Sequence, residues 1–285
     1  MNHCFFNVCG LVFRFSGPDS ITIEFPSELF EVPAQAEDIV IYLQSVPSLR
    51  TPPGILCRKD KERSVWRDHS LITRCCLAQE FAPREMFSQA IYRLDSPGEL
   101  QLRVRNSDWC WTSCTPHLWT EIMPNHILLH FQTLIFHASY INYNGKAILF
   151  AAPSQTGKST QADLWQQYRG AEIVNGDKAA VRLNGGAAVA HGLPFCGTSK
   201  ICVNRSLPLQ AIVLLSQASE NTVRRLPPGE AVAALFPNVF TDRSIPEEWD
   251  LTVRLLLDLV SLVPVYALAC TPDIRAVETL EREIF

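Results

Sequence analysis

A chain of 285 residues, 47% hydrophobic and 19% charged, has the length for one large domain or two ordinary ones and the apolar content for a packed core. That balance excludes a disordered chain. A net charge of -4, with no Lys/Arg-rich run, offers no footprint for a nucleic-acid partner.

The N-terminal stretch MNHCFFNVCGLVFRF has no basic n-region and no small-residue cleavage site, so no secretory signal is read there. The longest apolar run, Leu255 to Cys270, is broken by Asp258 and Pro264, and no membrane span is expected. Ten cysteines contain no Cys-x-x-Cys pair, which removes the zinc-ribbon and thioredoxin readings. Cys110 and Cys114, with His117, His126 and His130 behind them, leave a metal site open. The plainer expectation is reduced, mostly buried thiols in a cytoplasmic protein.

Residues 1–124 are rich in proline and tryptophan. Leu11–Phe15, Ile21–Phe25 and Leu100–Val104 have the texture of short strands, and Gly17-Pro18 and Thr51-Pro52-Pro53-Gly54 that of turns. Trp109, Trp111 and Trp119 are expected in a core or an interface, with ligand stacking as the alternative. No catalytic motif or repeat stands in this half. It is expected to form a smaller α+β domain that recognises a substrate or supports a homo-oligomer.

The pattern changes near Ile127. Ile127–Phe136 is strongly apolar and expected to be helical. His137–Tyr143 alternates like a strand, Asn144-Gly145 is a two-residue hairpin turn, and Lys146–Ala151 reads as a buried strand. Thr160–Tyr168 suits a helix. Further strands are expected at Glu172–Val174, Ala179–Leu183, Ala187–Ala190, Ala211–Leu215 and Val265–Ala269. Helices are expected at Gly229–Phe236, Glu247–Leu262 and Pro272–Glu283, the last capped by Thr271. Residues 125–285 therefore read as an α/β domain with more hairpins than a doubly wound sheet has.

Between the buried strand and the helix lies APSQTGKST, Ala152–Thr160. A phosphate loop has the form G-x-x-x-x-G-K-[ST]. Ser154, Gln155, Thr156 and Gly157 would offer backbone N–H groups to phosphate oxygens at a helix N-terminus. Lys158 would reach the β- and γ-phosphates, Ser159 would place a hydroxyl on Mg²⁺, and Thr160 continues the motif. The first glycine is replaced by Ala152, which keeps the turn as long as its φ stays negative. Asp177, in IVNGDKAAV, follows a short strand, where a carboxylate could hold Mg²⁺ or accept a hydroxyl proton. An Asn-Gly-Asp turn without chemistry is the alternative.

These residues resemble the HPr kinase/phosphorylase family, more closely its HPr-kinase-related members, some of which accompany peptide-modification gene clusters. His137 before the hairpin, Tyr143-Asn144-Gly145-Lys146, the loop PSQTGKST, the aspartate segment and HGLPFCGTSK (residues 191–200) carry the resemblance, over about Ile127 to Ile284. It implies a P-loop kinase domain of the HPr kinase/PEP-carboxykinase-like type with a mixed sheet. It implies ATP and Mg²⁺ as cofactors, and γ-phosphoryl transfer to a Ser/Thr hydroxyl of a protein or peptide. His137 would match the histidine near the phosphate site, and Asp177 one of the family's two adjacent aspartates, Gly176 standing at the other. Gln155 stands where the family has a glycine, and Val189 and His191 stand where its bifunctional members carry Glu and Arg. Lys200 or Arg205 is expected to supply the positive charge lost there, with Arg243 as a further phosphate contact. A nucleotide-binding protein without catalysis and a small-molecule hydroxyl kinase are the other readings.

Overall fold

The computed structural model describes residues 2–18, 21–77, 85–197 and 199–285. Two units divide the chain. The first is Met1–Ile127 together with Asp242–Pro246, and the second is Leu128–Thr241 together with Glu247–Phe285. The five residues from Asp242 are a departure from the expected single boundary near residue 124, because no compositional change marks them.

The first unit is one mixed eight-stranded sheet followed by short helices. Its strands are β1 (Asn2–Val8), β2 (Leu11–Gly17), β3 (Ile39–Val46), β4 (Ile55–Lys59), β5 (Arg63–Asp68), β6 (Leu71–Leu77), β7 (Met86–Arg93) and β8 (Ser96–Arg105). Their order is β1-β2-β3-β8-β7-β6-β5-β4, parallel only where β3 meets β2 and β8. Helices α1 (Asn106–Thr112), α2 (Thr115–Ile122) and α3 (Pro124–His130) follow. Of the three tryptophans, Trp119 alone is core: Phe6, Phe13 and Phe15 meet it edge to face at 5.0–5.7 Å, and its Nε1 donates to Ser27 Oγ at 3.1 Å. Trp111 is exposed and stacks on His117. Ile21–Phe25 is not a strand. Thr22 alone forms a bridge, its N–H and C=O taken by Ser113 and Thr115.

A buried ion pair closes this unit over residue 242. Arg74 Nη1 lies 2.6 Å from Asp242 Oδ2, both side chains almost fully buried, while Arg74 Nε donates to Tyr92 Oη. Burial alone would raise the Asp242 pKa, but the Arg74 charge and the Ser244 N–H lower it to about 2. A folded-state value below the unfolded aspartate's gives stability that is complete above about pH 4 and lost as pH falls through about 2. Arg74→Met should cost about 3–5 kcal/mol by leaving that buried carboxylate only the more distant Arg58, at 3.7 Å, and the Ser244 N–H, and should move the acid-unfolding limb to higher pH. Urea titrations of the full chain at several pH values measure both.

The second unit has β9 (Thr133–Tyr143), β10 (Lys146–Ala151), α4 (Lys158–Arg169), β11 (Glu172–Asn175), β12 (Lys178–Asn184), β13 (Ala187–His191), β14 (Ser206–Gln217), β15 (Thr222–Arg225), α5 (Pro228–Leu235), α6 (Pro246–Leu262), β16 (Val265–Cys270) and α7 (Ile274–Ile284). The apolar run expected to be one helix is split. α3 ends at His130, Gln132 takes φ +57°, and β9 begins at Thr133. Thr133–Phe136 is buried on both faces, so the run shows no alternation to betray a strand.

β9 and β14 are long because each serves three partners, β9 pairing also with β11 through residues 140–142. Residues 133–137 of β9 pair with β12 and 138–143 with β10, while β14 pairs at one end with β13 and along the rest with β10 and β16. β10, β14 and β16 are parallel to one another. One face of these strands packs on α4 and α7 through Ile148, Phe150, Trp165, Val213 and Leu280, and another cluster joins Phe136, Leu149, Leu235 and Leu256 from the α5–α6 side. Asn144 and Gly145, at φ +52° and +75°, form the expected hairpin turn. α7 is capped by Asp273, whose Oδ1 accepts from Arg275 N, and not by Thr271, whose hydroxyl is engaged by Asn221. Among the described residues no helix is long and apolar enough to cross a membrane.

Candidate phosphate-binding site

Open α/β sheets bind ligands beyond the carboxyl ends of their parallel strands, where the backbone turns away and leaves a crevice. Here β10 runs into the loop at Ala151. β14 ends at Gln217, whose Nε2 donates to the carbonyls of Gln155 and Thr156, both at 3.4 Å. β16 ends at Cys270, whose Sγ accepts from Gln161 of α4 at 3.3 Å. The ends of three parallel strands thus brace one loop and the first turn of one helix.

Within the loop, Gln155 and Gly157 take φ +64° and +119°, whereas Ala152 has no such requirement and is buried. Alanine in place of the first glycine therefore costs no backbone strain, and Gln155 is the residue that sits where glycine would be easier. Ser154, Gln155, Ser159 and Thr160 are exposed, and Thr156 and Gly157 are half-buried. Lys158 is nearly buried. Its ammonium folds back on the loop, donating to the carbonyls of Ala152 at 3.0 Å and Pro153 at 3.3 Å. Burial lowers the Lys158 pKa and Asp177 opposes that shift.

β9 and β12 carry the facing groups. His137 and Lys178 are direct cross-strand partners, and Asp177 precedes Lys178. Asn175 Oδ1 accepts from the N–H of both Asp177 and Lys178, and the Asp177 carbonyl accepts from Ala138 N, so the turn is held at both ends. His137 Nε2 stands 3.8 Å from Asp177 Oδ1. Burial is the main cause of the lowered His137 pKa, Lys158 adds to it and Asp177 opposes it, so the imidazole is neutral at pH 7. His137, Asp177 and Lys158 thus lie within electrostatic reach of one another. A cleft of about 330 Å³ opens beside them, walled by His137, Ala152–Ser154 and Pro237–Phe240.

The 191–200 segment packs on the aspartate turn. A Cβ on Gly197 would come within 2.6 Å of the Asp177 carboxyl group, and one on Gly176 within 2.4 Å of Ser199 Oγ. Position 176 therefore takes a side chain only if Ser199 moves. Lys200 is exposed at the end of this segment, at φ +53°, with its N–H on the Gly197 carbonyl. Thr198 lies outside the described residues. His191 is buried and hydrogen-bonded to Ser206 Oγ at 2.8 Å. Burial, with the Arg182 charge, lowers its pKa to about 4, so the imidazole is neutral at pH 7.

Arg205 is not brought to the loop. Its guanidinium forms two contacts with Glu172, at 3.0 and 3.2 Å. Glu172 follows the far end of α4, and a helix of 12 residues puts that end about 18 Å from its start. Arg243 falls in the segment belonging to the first unit. Lys178, Gln217 and Phe240 are the neighbours that sequence reasoning passed over. Lys178 had a signal, being next to Asp177; the other two had none. Cys114 Sγ meets His117 Nδ1 at 3.1 Å, but among the described residues no group of three or more His, Cys, Asp or Glu could hold a metal. All ten cysteines are free thiols, and Cys4, Cys9, Cys75, Cys76 and Cys202 are buried.

The fold and site define a mixed α/β chain with a motif-bearing loop at the carboxyl ends of parallel strands. Residues 117–285, more than half of the chain, match the family described as SynChlorMet cassette protein ScmC, and the chain belongs to that family. Among solved structures, the Hpr(Ser) kinase/phosphatase from Coxiella burnetii is similar at 12% identity and TM-score 0.32, covering 52% of this chain and 94% of that one, too remote to fix a shared fold. Among curated proteins none matches.

Proposed function

We propose that this chain binds ATP with Mg²⁺ at Ala152–Thr160 and transfers the γ-phosphoryl group to a Ser/Thr hydroxyl of a protein or peptide. The observation that carries the reading is that His137, 3.8 Å from Asp177, shares a cleft with Ala152–Ser154 of the motif-bearing loop, beyond the ends of parallel strands. Backbone N–H groups of the loop and the start of α4 would cradle the phosphates. Lys158 would exchange two loop carbonyls for phosphate oxygens, a stronger charge-assisted partner. Asp177 and the exposed Ser159 hydroxyl fit Mg²⁺, which takes few protein oxygens and completes its shell with phosphates and water. Such an ion would neutralise charge on the phosphates. Asp177 would also accept the hydroxyl proton, with neutral His137 positioning it, and the cleft beside His137 would admit the acceptor side chain.

Nucleotide binding without catalysis is the second reading. Glycine at position 176 favours it, because one carboxylate must then serve both metal and proton. Mass spectrometry separates the two. Incubation with Mg²⁺-ATP and hydroxyl-bearing products of the cassette that the family name denotes should add about 80 daltons per phosphoryl group. Tight ATP binding with no such product would reject the kinase reading and leave the second.

A further inference from the structure

Lys178 is held in an arrangement that pairing with Asp177 alone does not explain. Its ammonium stands 3.6 Å from Asp177 Oδ2, while His137 faces Oδ1 of the same carboxylate. At 3.6 Å the contact is longer than a hydrogen bond. Among the described residues no acceptor takes any of the three ammonium N–H groups. Two rings flank the cation, Phe195 with its centroid at 5.6 Å and Phe240 at 5.7 Å. Aromatic faces attract a cation without consuming its donors, and they cover the aliphatic stem. A lysine that served only to neutralise Asp177 would close to hydrogen-bond distance. This one keeps its donors uncommitted and its side chain 27% exposed. Phe240 and His137, the cross-strand partner of Lys178, both wall the cleft beside the loop, so two immediate neighbours of Lys178 line it.

The other candidate cations are placed differently. Lys158 is engaged on loop carbonyls, Arg205 is bound to Glu172 beyond the far end of α4, and Lys200 lies exposed in water. We infer that Lys178 is a phosphate-binding residue which contacts the terminal phosphoryl group of the nucleotide, opposite Lys158, and so distinguishes a triphosphate from a diphosphate. This rests on the proposed use of ATP. The rings pre-position the charge, so little side-chain freedom is lost when phosphate arrives.

Calorimetric titration of the full chain with Mg²⁺-ADP and with a non-hydrolysable Mg²⁺-ATP analogue tests it. Wild type should bind the triphosphate more tightly. Lys178→Gln should weaken triphosphate binding about 10- to 100-fold while leaving ADP binding unchanged, the loss expected for one charge-assisted hydrogen bond. Lys178→Arg should restore most of it. An unchanged triphosphate-to-diphosphate ratio in Lys178→Gln overturns the inference, and so does a wild type that binds both equally. Loss of ADP binding in Lys178→Gln also overturns it, because the lysine then supports the loop and not the γ-phosphate. A wild type that binds neither nucleotide rejects the proposed function itself.

Discussion

Asp177→Asn should leave ATP binding near wild type and lower phosphoryl transfer by about 10²- to 10⁴-fold, the range for losing a positioned general base. The substitution keeps the volume of the side chain, so the close fit against Gly197 survives. Asn175 still caps the turn through the backbone of residues 177 and 178. What goes is the negative charge and the ability to take a proton. The proposed mechanism requires both, because glycine at position 176 leaves Asp177 to serve the metal and the hydroxyl. The two roles separate in a titration of Mg²⁺ at saturating ATP. A loss of metal binding appears as a higher Mg²⁺ requirement, whereas a loss of the base appears as a lower rate at saturating Mg²⁺. Full turnover by Asp177→Asn would refute the mechanism.

Lys158→Ala should abolish measurable nucleotide binding, with affinity falling about 100-fold or more as two or three charge-assisted bonds to phosphate disappear. A structural penalty is not expected to hide the effect. The ammonium is nearly buried, but its partners are the carbonyls of Ala152 and Pro153, residues that line the cleft, so water can enter to satisfy them once the side chain is shortened. Calorimetry gives the affinity, and a thermal melt of the same sample shows whether the fold is kept. Unaltered ATP affinity would remove Ala152–Thr160 from the site altogether.

The strand–turn–strand–loop–helix order around the motif could be read from sequence because each piece is local. Asn144-Gly145 needs positive φ at two neighbouring residues, and Lys146–Ala151 is too short and too apolar for anything but a buried strand. The start of β9 could not be read in this way. It is covered on both faces, and an apolar run without alternation has no period to report. Arg205 illustrates another limit. Nearness in sequence to the 191–200 segment is not nearness in space: β14 begins at Ser206, and the guanidinium is held by Glu172. Gln217 and Phe240 reach the site from two distant stretches of chain. Only the pairing of β14 with β10 and the packing of residues 237–240 beside His137 bring them there.

The assignment of Asp242–Pro246 to the first unit has a practical outcome for anyone who wishes to dissect the protein. A fragment cut after residue 127 would lack Asp242 and so leave the nearly buried Arg74 guanidinium without its carboxylate; the complementary fragment would carry the aspartate without Arg74 or Arg58. Neither piece is therefore a faithful stand-in for the intact molecule. The two units are sewn together by a chain that leaves the second, enters the first for five residues and returns, so a break between them has to be made at more than one place.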